Sequence, residues 1–457
     1  MLLGKALSAF VENSPISVMV EATLQRVFEP GALDQVFQNG AVLGYAKKLA
    51  FSGCVRLMSE VVFKESPSVG AYYQEHAEEL AVTRQAVYDK LKHLELQVLA
   101  ALTRHSAAEL RPCIEAMPGQ PPPPLPGCRL RVLDGNHLTG TEHRILELRR
   151  SRSATLPGQA LVFYDPRSGL MDDVIPCEDA YAQERSLLEQ ALACIGENDC
   201  IVADRCFCTL GFLFGLDRRG SFFVIRQHAC LHWQGVGARR RAGRDARGRD
   251  IYEQTARLVD GETGQTLTVR RITIALDKPT KDGEMELHIL SNLPRRMASA
   301  LRVAELYADR WTIESGFQQL TEDLRCEINT LAYPKAALFG FCVACAAYNI
   351  VATVKAAIRA AQGARYVREE LSTYYLTLEV ARVSPGMLIA VPAREWKAFS
   401  GLSAKQFGAA LVELAGGLDR RKYAKHKRGP KRPQPKKIAD RSHHHVSTAR
   451  VLAARCA

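Results

Sequence analysis

The chain has 457 residues, which is more than one simple hydrophobic core usually organises, so we expect several domains. Its 47% hydrophobic and 24% charged residues are typical of a soluble globular protein and argue against a disordered chain. The 13 cysteines are scattered and odd in number, and the N-terminus lacks the basic start and apolar core of a signal peptide. A reduced, cytoplasmic setting is therefore expected rather than a disulfide-stapled, secreted one.

The net charge of +12, with a pI near 9.1, is concentrated in one segment. Residues 420–437 contain ten of the 61 Lys and Arg residues and no acidic residue. The rest of the chain is almost neutral, with 51 basic residues against 49 acidic ones. Such a basic block is typical of a solvated arm, often one that contacts nucleic acid.

Residues 1–120 are predicted to form a helical N-terminal domain that binds DNA. Within it, apolar residues recur at helical spacing between Val82 and Glu95, and Thr83 can cap the start of that helix. Four side chains on the outer face of this helix could contact DNA: Arg84, Gln85, Tyr88 and Lys92. A plain amphipathic helix explains the same pattern, so both interpretations stay open here.

A proline run at residues 121–124 is a stiff linker and marks the next predicted boundary. After it, the pattern predicts strands that end at Asp134 and Asp204, with a helix over Cys177–Ile195 between them, so residues 121–227 form an α/β layer. Residues 228–295 form a mostly β insertion that contains an arginine-rich loop. We assign residues 296–375 to the second part of the α/β core, and residues 376–457 to a C-terminal region with the basic tail.

The helix around Tyr307 carries the most informative motif. Tyr307, Arg310 and Glu314 are three and four residues apart, a spacing that places them on one helical face. A carboxylate flanked by an arginine suits a site at which metal ions meet phosphate. A surface ion pair on an amphipathic helix is the alternative interpretation.

Asp134 and Asp204 each close an apolar run, and strand ends are where ligands meet an open α/β sheet. Together with Glu314 they could hold two Mg²⁺ ions roughly 3.5–4 Å apart. Mg²⁺ takes oxygen ligands, so a shell of carboxylates is the expected one. Phosphodiester cleavage needs such a site because charge develops on oxygens at both ends of the displacement.

With these motifs in order, the chain resembles the DDE transposases of the insertion-sequence-four family. Tyr307, Arg310 and Glu314 match the Tyr-x2-Arg-x3-Glu part of the family signature, and Asp134 and Asp204 match its two aspartates. The resemblance covers residues from about 128 to 350 and implies a ribonuclease-H-like catalytic core, interrupted by the β insertion. It also implies that Asp134, Asp204 and Glu314 are catalytic and bind two Mg²⁺ ions, for which Mn²⁺ can substitute.

The family signature continues to a lysine that is thought to contact DNA phosphate, but this chain has Thr321 there. Arg325, one helical turn further on, is the hypothetical substitute. The resemblance implies that Tyr307 and Arg310 position the DNA backbone, and that Trp233 stacks on a flipped base unless it belongs to the core. The other predicted DNA-binding residues are basic ones of the insertion and the tail: Arg239, Arg240, Arg241, Arg244, Lys427, Arg428, Lys431 and Arg432.

The resemblance predicts a transposase of a bacterial insertion sequence, which cuts the element's ends and joins them to target DNA. Its implied partners are double-stranded DNA, as terminal inverted repeats and as target, and a second copy of the chain when both ends are bound. The apolar stretch Ala336–Val354 is predicted to be a buried core helix, so no membrane is expected. The expected location is the cytoplasm, at the nucleoid. A ribonuclease-H-like DNA nuclease and a non-catalytic DNA-binding descendant of a transposase are the alternatives.

Overall fold

The computed structural model describes residues 4–42, 49–141, 145–148, 155–280, 282–426 and 446–455. Its helices are α1 (Lys5–Asn13), α2 (Pro15–Val27), α3 (Pro30–Gly40), α4 (Phe51–Val62), α5 (Val69–Leu80), α6 (Arg84–Lys92), α7 (Leu96–Ala116), α8 (Leu188–Ala193), α9 (Leu210–Arg218), α10 (Ala300–Ala308), α11 (Trp311–Glu322), α12 (Pro334–Gln362), α13 (Thr373–Ala390), α14 (Ala393–Trp396), α15 (Ala404–Gly416) and α16 (Thr448–Arg455). Its strands are β1 (Arg129–His137), β2 (Thr155–Leu156), β3 (Gln159–Asp165), β4 (Leu170–Cys177), β5 (Asp199–Ala203), β6 (Phe222–Arg226), β7 (Gln234–Arg244), β8 (Asp250–Val259), β9 (Thr266–Ala275), β10 (Glu286–Ser291) and β11 (Val446–Ser447). The mixed α/β class expected from the sequence is confirmed.

A single nine-stranded sheet runs through the molecule in the order β4-β3-β1-β5-β6-β10-β9-β8-β7. Strands β1, β5 and β6 are parallel to one another, and the other pairings in this sheet are antiparallel. The strands of the predicted β insertion therefore extend the same sheet instead of forming a separate one. The parallel strands lie in its middle, where both faces are covered, and this explains the apolar runs of β5 and β6.

Side chains of the parallel strands alternate between two hydrophobic cores. The larger core lies on the side of α7 and α12 and takes one set of residues: Val132, Val202 and Val224. The smaller core lies on the side of α8 and α9 and takes the alternate set: Leu133, Ala203 and Ile225. Because of this alternation, the side chain that follows Leu133, Ala203 or Ile225 in each strand points to the side of the larger core.

The apolar helix α12 lies in the larger core. It is long and apolar enough to cross a membrane, but 94% of its most apolar window is buried inside the protein, as expected for a core helix. Asn349 on this helix is fully buried; its Oδ1 accepts the Met171 N–H at 2.7 Å, and its Nδ2 donates to the Met171 carbonyl at 2.8 Å. Because β4 is an edge strand, Asn349 satisfies backbone groups that no neighbouring strand pairs.

Several predictions of local structure are wrong. The arginine-rich segment is not a loop, because Gln234–Arg244 pairs with β8 as the edge strand β7. The helix predicted over Cys177–Ile195 begins late, since Cys177 still belongs to β4 and α8 starts only at Leu188. The strand predicted to end at Asp134 continues to the end of β1, three residues further on.

After the basic tail, the C-terminal region forms a second, two-stranded sheet with β2. β11 pairs in parallel with β2, and the Arg450 Nε donates to Asp179 Oδ2 at 2.8 Å. A truncation that removes the tail would therefore also remove β11 and α16. The tail residues predicted to bind DNA lie outside the described residues: Lys427, Arg428, Lys431 and Arg432.

Replacing Asn349 with alanine should lower the free energy of unfolding by about 3 kcal/mol, because the buried Met171 N–H and C=O would lose their partner. Chemical denaturation monitored by circular dichroism measures this loss. Asn13→Ala is the matched control, since the Asn13 side chain is exposed and its amide donates to the Ala9 carbonyl of its own helix. Equal stability of the two variants would show that Asn349 does not hold the edge strand.

Candidate active site

Parallel pairing brings three polar residues into one row. β1 and β5 are in register up to Leu133 and Ala203, and β5 and β6 up to Ala203 and Ile225. The next residues along these strands form a row at their C-terminal edge: Asp134, Asp204 and Arg226. By the alternation of the strands, their side chains point to the side of the larger core, which is also the side of α10 and α11.

The helix predicted around Tyr307 is two helices with a tight turn between them. The Arg310 N–H bonds to the Tyr307 carbonyl and the Ile313 N–H to the Arg310 carbonyl, each at 3.2 Å and three residues back instead of four. The prediction of one continuous helix is therefore wrong. Arg310 nevertheless keeps near-helical dihedrals, φ −51° and ψ −36°, so Glu314 still lies beside it.

The Arg310 guanidinium joins the sheet to α11. Its Nη1 donates to Asp134 Oδ2 at 2.8 Å, and its Nη2 donates to Glu314 Oε1 at 3.1 Å. The Tyr307 hydroxyl donates to Asp204 Oδ1 at 3.1 Å. Two side chains of one short segment thus bind the three carboxylates that the sequence singled out.

Burial controls the charge states in this group. Burial raises the pKa of Asp134 to about 6, although the Arg310 charge and the Gly135 N–H both lower it. Burial, and then the Asp204 charge, raise the pKa of Tyr307 well above its usual value, so Tyr307 remains a neutral donor. Burial alone would lower the pKa of Arg310, but the neighbouring acidic groups, Asp134 first, raise it, and the guanidinium stays charged.

The metal ions implied by the resemblance would have to bind among these carboxylates. Their donor atoms are all oxygens, the type that Mg²⁺ prefers, and the charged guanidinium between Asp134 and Glu314 shows that this position stabilises a cation. Among the described residues, no three His, Cys, Asp or Glu side chains stand close enough together to hold a metal ion as they are. The type of donor atom therefore fits Mg²⁺, and binding of an ion by all three carboxylates would require them to move closer together.

Residues 129–350 match the family model described as the transposase DDE domain. This segment, called the DDE-domain segment below, contains the three carboxylates together with Tyr307 and Arg310, which bind them. The match supports a DDE transposase. Among solved structures, the cryo-EM structure of a piggyBac transposase synaptic complex with hairpin DNA aligns with 91% of this chain and 80% of that chain, at 9% identity and a TM-score of 0.31. So low a TM-score carries no argument about fold or function. No curated protein matches the chain.

Two further predicted positions of the DDE-domain segment lie on or after α11. Thr321 is exposed, and its hydroxyl donates to the Phe317 carbonyl at 3.1 Å within the helix. The Arg325 Nη1 donates to the Pro67 carbonyl at 2.6 Å, and its backbone N–H to the Val62 carbonyl at 2.9 Å. In this structure Arg325 therefore ties the segment to the end of α4, and its predicted phosphate contact remains a prediction.

The tryptophans differ in their access to DNA. Trp233 is half-buried against the smaller core, with the Arg271 guanidinium 4.3 Å from its ring centroid, so base stacking would require Arg271 to move. Trp311 follows Arg310 in the chain, and the Arg310 guanidinium lies 5.2 Å from its ring centroid. With 60% exposure, Trp311 offers an open aromatic face next to the carboxylates.

The four predicted arginines of the insertion lie exposed on β7, and acids neutralise part of their charge. Arg239 binds Glu286 at 2.7 Å, and Arg241 and Arg244 share Asp250 at 2.6 and 3.1 Å. The remaining one, Arg240, forms no ion pair with a described residue. The edge strand β7 therefore carries more arginines than the acids that pair with them, and such a strand is suited to binding phosphate.

Sequence reasoning missed two residues beside the carboxylates. The Arg226 Nη1 lies 3.9 Å from Asp204 Oδ1, and its Nη2 pairs with Glu284. A signal existed, because Arg226 closes the apolar run of β6 as Asp204 closes that of β5. Glu184 gave no such signal, since an acid that begins the 3₁₀ turn Glu184–Leu187 looks like a helix-end residue.

Replacing Arg310 with methionine should lower the free energy of unfolding by about 3 kcal/mol, because it leaves the partly buried Asp134 without its cation. The double variant Arg310→Met/Asp134→Asn should lose less than the sum of the two single variants, since the uncompensated charge is then removed as well. Urea unfolding of all four proteins measures this coupling. Strict additivity would contradict an ion pair that matters for folding.

Proposed function

We propose that the protein is a DNA transposase of a bacterial insertion sequence of the insertion-sequence-four family. It would cut the ends of its element and join them to target DNA. The observation that carries the proposal is that Asp134, Asp204 and Glu314 meet at one sheet edge inside the DDE-domain segment. A ribonuclease-H-like arrangement of the core belongs to the same proposal.

Asp134, Asp204 and Glu314 are proposed to hold two Mg²⁺ ions, with Mn²⁺ as a substitute. When bound, such ions activate an attacking water or 3′-hydroxyl and stabilise the leaving oxygen. The protein contributes the fixed positions of its carboxylates. The parallel pairing of β1 and β5 sets the spacing of the aspartates, and the Tyr307 hydroxyl fixes the orientation of Asp204 by donating to its Oδ1.

Arg310 has a second role in this proposal. Its guanidinium neutralises Asp134 and Glu314 in the protein alone, and a fork of this kind binds phosphate oxygens equally well. A DNA phosphate that enters the site would give Arg310 a new anion and free the two carboxylates for metal. Arg226, which now pairs with Glu284, lies on the Asp204 side and could hold the same strand.

The proposed partner is double-stranded DNA, as terminal inverted repeats and as target. The exposed arginines of β7 and the basic residues among 427–437 would neutralise backbone phosphates. Simultaneous binding of two ends implies a homodimer on DNA. Action on bacterial DNA implies the cytoplasm, at the nucleoid.

Asp204→Asn should abolish Mg²⁺-dependent cleavage of duplexes that carry the sequences flanking the coding region. The substitution keeps the size of the side chain but removes a metal-ligating charge, and a loss of at least about 100-fold is expected. Asp217→Asn, at an exposed aspartate of α9, is the matched control and should cut normally.

A gel assay with labelled duplexes measures both cutting and joining. Cleavage by Asp204→Asn at the wild-type rate would contradict the proposed mechanism. Cutting by the wild-type protein without joining to target DNA would identify a nuclease instead of a transposase.

Replacing Lys427, Arg428, Lys431 and Arg432 with glutamine should weaken DNA binding and flatten its salt dependence. Each phosphate contact contributes about 0.9 to the slope of log K against log salt concentration, so four lost contacts would change the slope by about 3–4. Substitution avoids the loss of β11 and α16 that a truncation would cause. Fluorescence anisotropy at several salt concentrations gives the slope.

Arg365→Gln/Arg368→Gln is the matched control for charge, because these exposed arginines pair with Glu369. An unchanged slope in the quadruple variant would show that the basic tail does not contact DNA.

A further inference from the structure

We propose that Glu184 is a fourth carboxylate of the active site, which holds through water the metal ion that Asp134 binds. The inference rests on the proposed function and names one more residue for it. It starts from the contact between the 3₁₀ turn Glu184–Leu187 and the end of β1.

Gly135 makes room for the Glu184 side chain. A Cβ placed on Gly135 would lie 1.9 Å from Glu184 Oε1 and 2.6 Å from its Cδ, so the carboxylate rests directly on the glycine backbone. Gly135 follows Asp134 in the chain, and its N–H donates to Asp134 Oδ1 at 3.0 Å. The missing side chain therefore lets a second carboxylate approach Asp134 from the other face of the sheet.

The Glu184 carboxylate has one polar contact in the described part of the chain. The Cys206 thiol donates to its Oε2 at 3.1 Å, and no described lysine or arginine forms an ion pair with it. Each of the other three carboxylates of the site accepts a hydrogen bond from Tyr307, on α10, or from Arg310, in the turn between α10 and α11. Glu184 thus contributes a negative charge that this structure leaves without a cation.

Two carboxylates that share one position repel each other unless a cation lies between or beside them. Arg310 reaches Asp134 at Oδ2, whereas Gly135, against which the Glu184 carboxylate rests, donates its N–H to Oδ1. Mg²⁺ keeps several waters when carboxylates bind it, so a carboxylate one layer away can hold such a water. The thiol of Cys206 fixes the orientation of Glu184 for this contact.

The test uses the full-length protein bound to a duplex that carries the sequences flanking the coding region, and Mn²⁺ as the probe. Free Mn²⁺ is measured by electron paramagnetic resonance, and the duplex alone gives the background. Glu184→Gln should raise the half-saturating Mn²⁺ concentration by roughly 10-fold or more, the effect expected for removing an outer-sphere partner of a metal site. Glu189→Gln, at an exposed glutamate of α8, is the matched control and should bind as the wild type does. Asp134→Asn in the same titration reports on the proposed function itself.

A second pair of variants moves Glu184 without changing its charge. Gly135→Ala should displace the carboxylate and raise the half-saturating concentration in the same way. Gly211→Ala is its control, because a Cβ there meets nothing within 4 Å. This pair also gives the answer if Glu184→Gln fails to fold.

The outcomes separate the two claims. Wild-type Mn²⁺ affinity in Glu184→Gln and Gly135→Ala, together with a loss in Asp134→Asn, would overturn the role of Glu184 and leave the proposed function standing. Wild-type affinity in Asp134→Asn, or no Mn²⁺ binding by the wild-type protein, would overturn both. Weakened binding in Glu184→Gln and Gly135→Ala, with unchanged binding in both controls, is the result that supports the inference.

Discussion

The bridge that Arg310 makes between Asp134 and Glu314 is the interaction on which the site depends. It joins a strand of the central sheet to a helix that comes 176 residues later, and only 7% of the arginine side chain is exposed. Without this cation, a carboxylate at the sheet edge and a second one on α11 would repel each other in a partly buried space. The geometry of the proposed catalytic group is therefore set by a positive charge that the protein itself supplies.

The same bridge separates two states of the site. In the protein alone, the guanidinium and the Tyr307 hydroxyl donate hydrogen bonds to the carboxylates. In the proposed function, DNA would bring phosphate, which the arginine fork binds equally well, and would leave the carboxylates in need of another cation. Binding of DNA and of metal would then favour each other, which would restrict cleavage chemistry to the DNA-bound protein.

Much of this site can be predicted from sequence, because its strongest signals are local. Asp134 and Asp204 interrupt apolar runs, and the spacing from Arg310 to Glu314 gives neighbours whether the helix is continuous or broken. The break before α11 could not be predicted, since a tight turn and a helix place these residues alike. Glu184 and Arg226 reach the site through the fold of the sheet and the turn before α8, and a single sequence holds no record of such long-range adjacency.

In the sheet, too, some strands can be predicted from their own sequence, whereas others depend on a partner strand. The parallel strands β5 and β6 can be recognised because both their faces are buried, which leaves an apolar run in each. β7 is an exposed edge strand that carries four arginines, so it lacks the alternation that marks a half-buried strand and was taken for a loop. Its extended form depends on pairing with β8, and that pairing is not evident in the segment itself.

A structure of the protein bound to DNA and Mn²⁺, with the metal located by anomalous scattering, tests the central claim most directly. The account predicts Mn²⁺ in contact with oxygens of Asp134, Asp204 and Glu314, and the Arg310 guanidinium on a DNA phosphate. Mn²⁺ bound elsewhere, or Arg310 still joining Asp134 to Glu314 in the DNA complex, would contradict it.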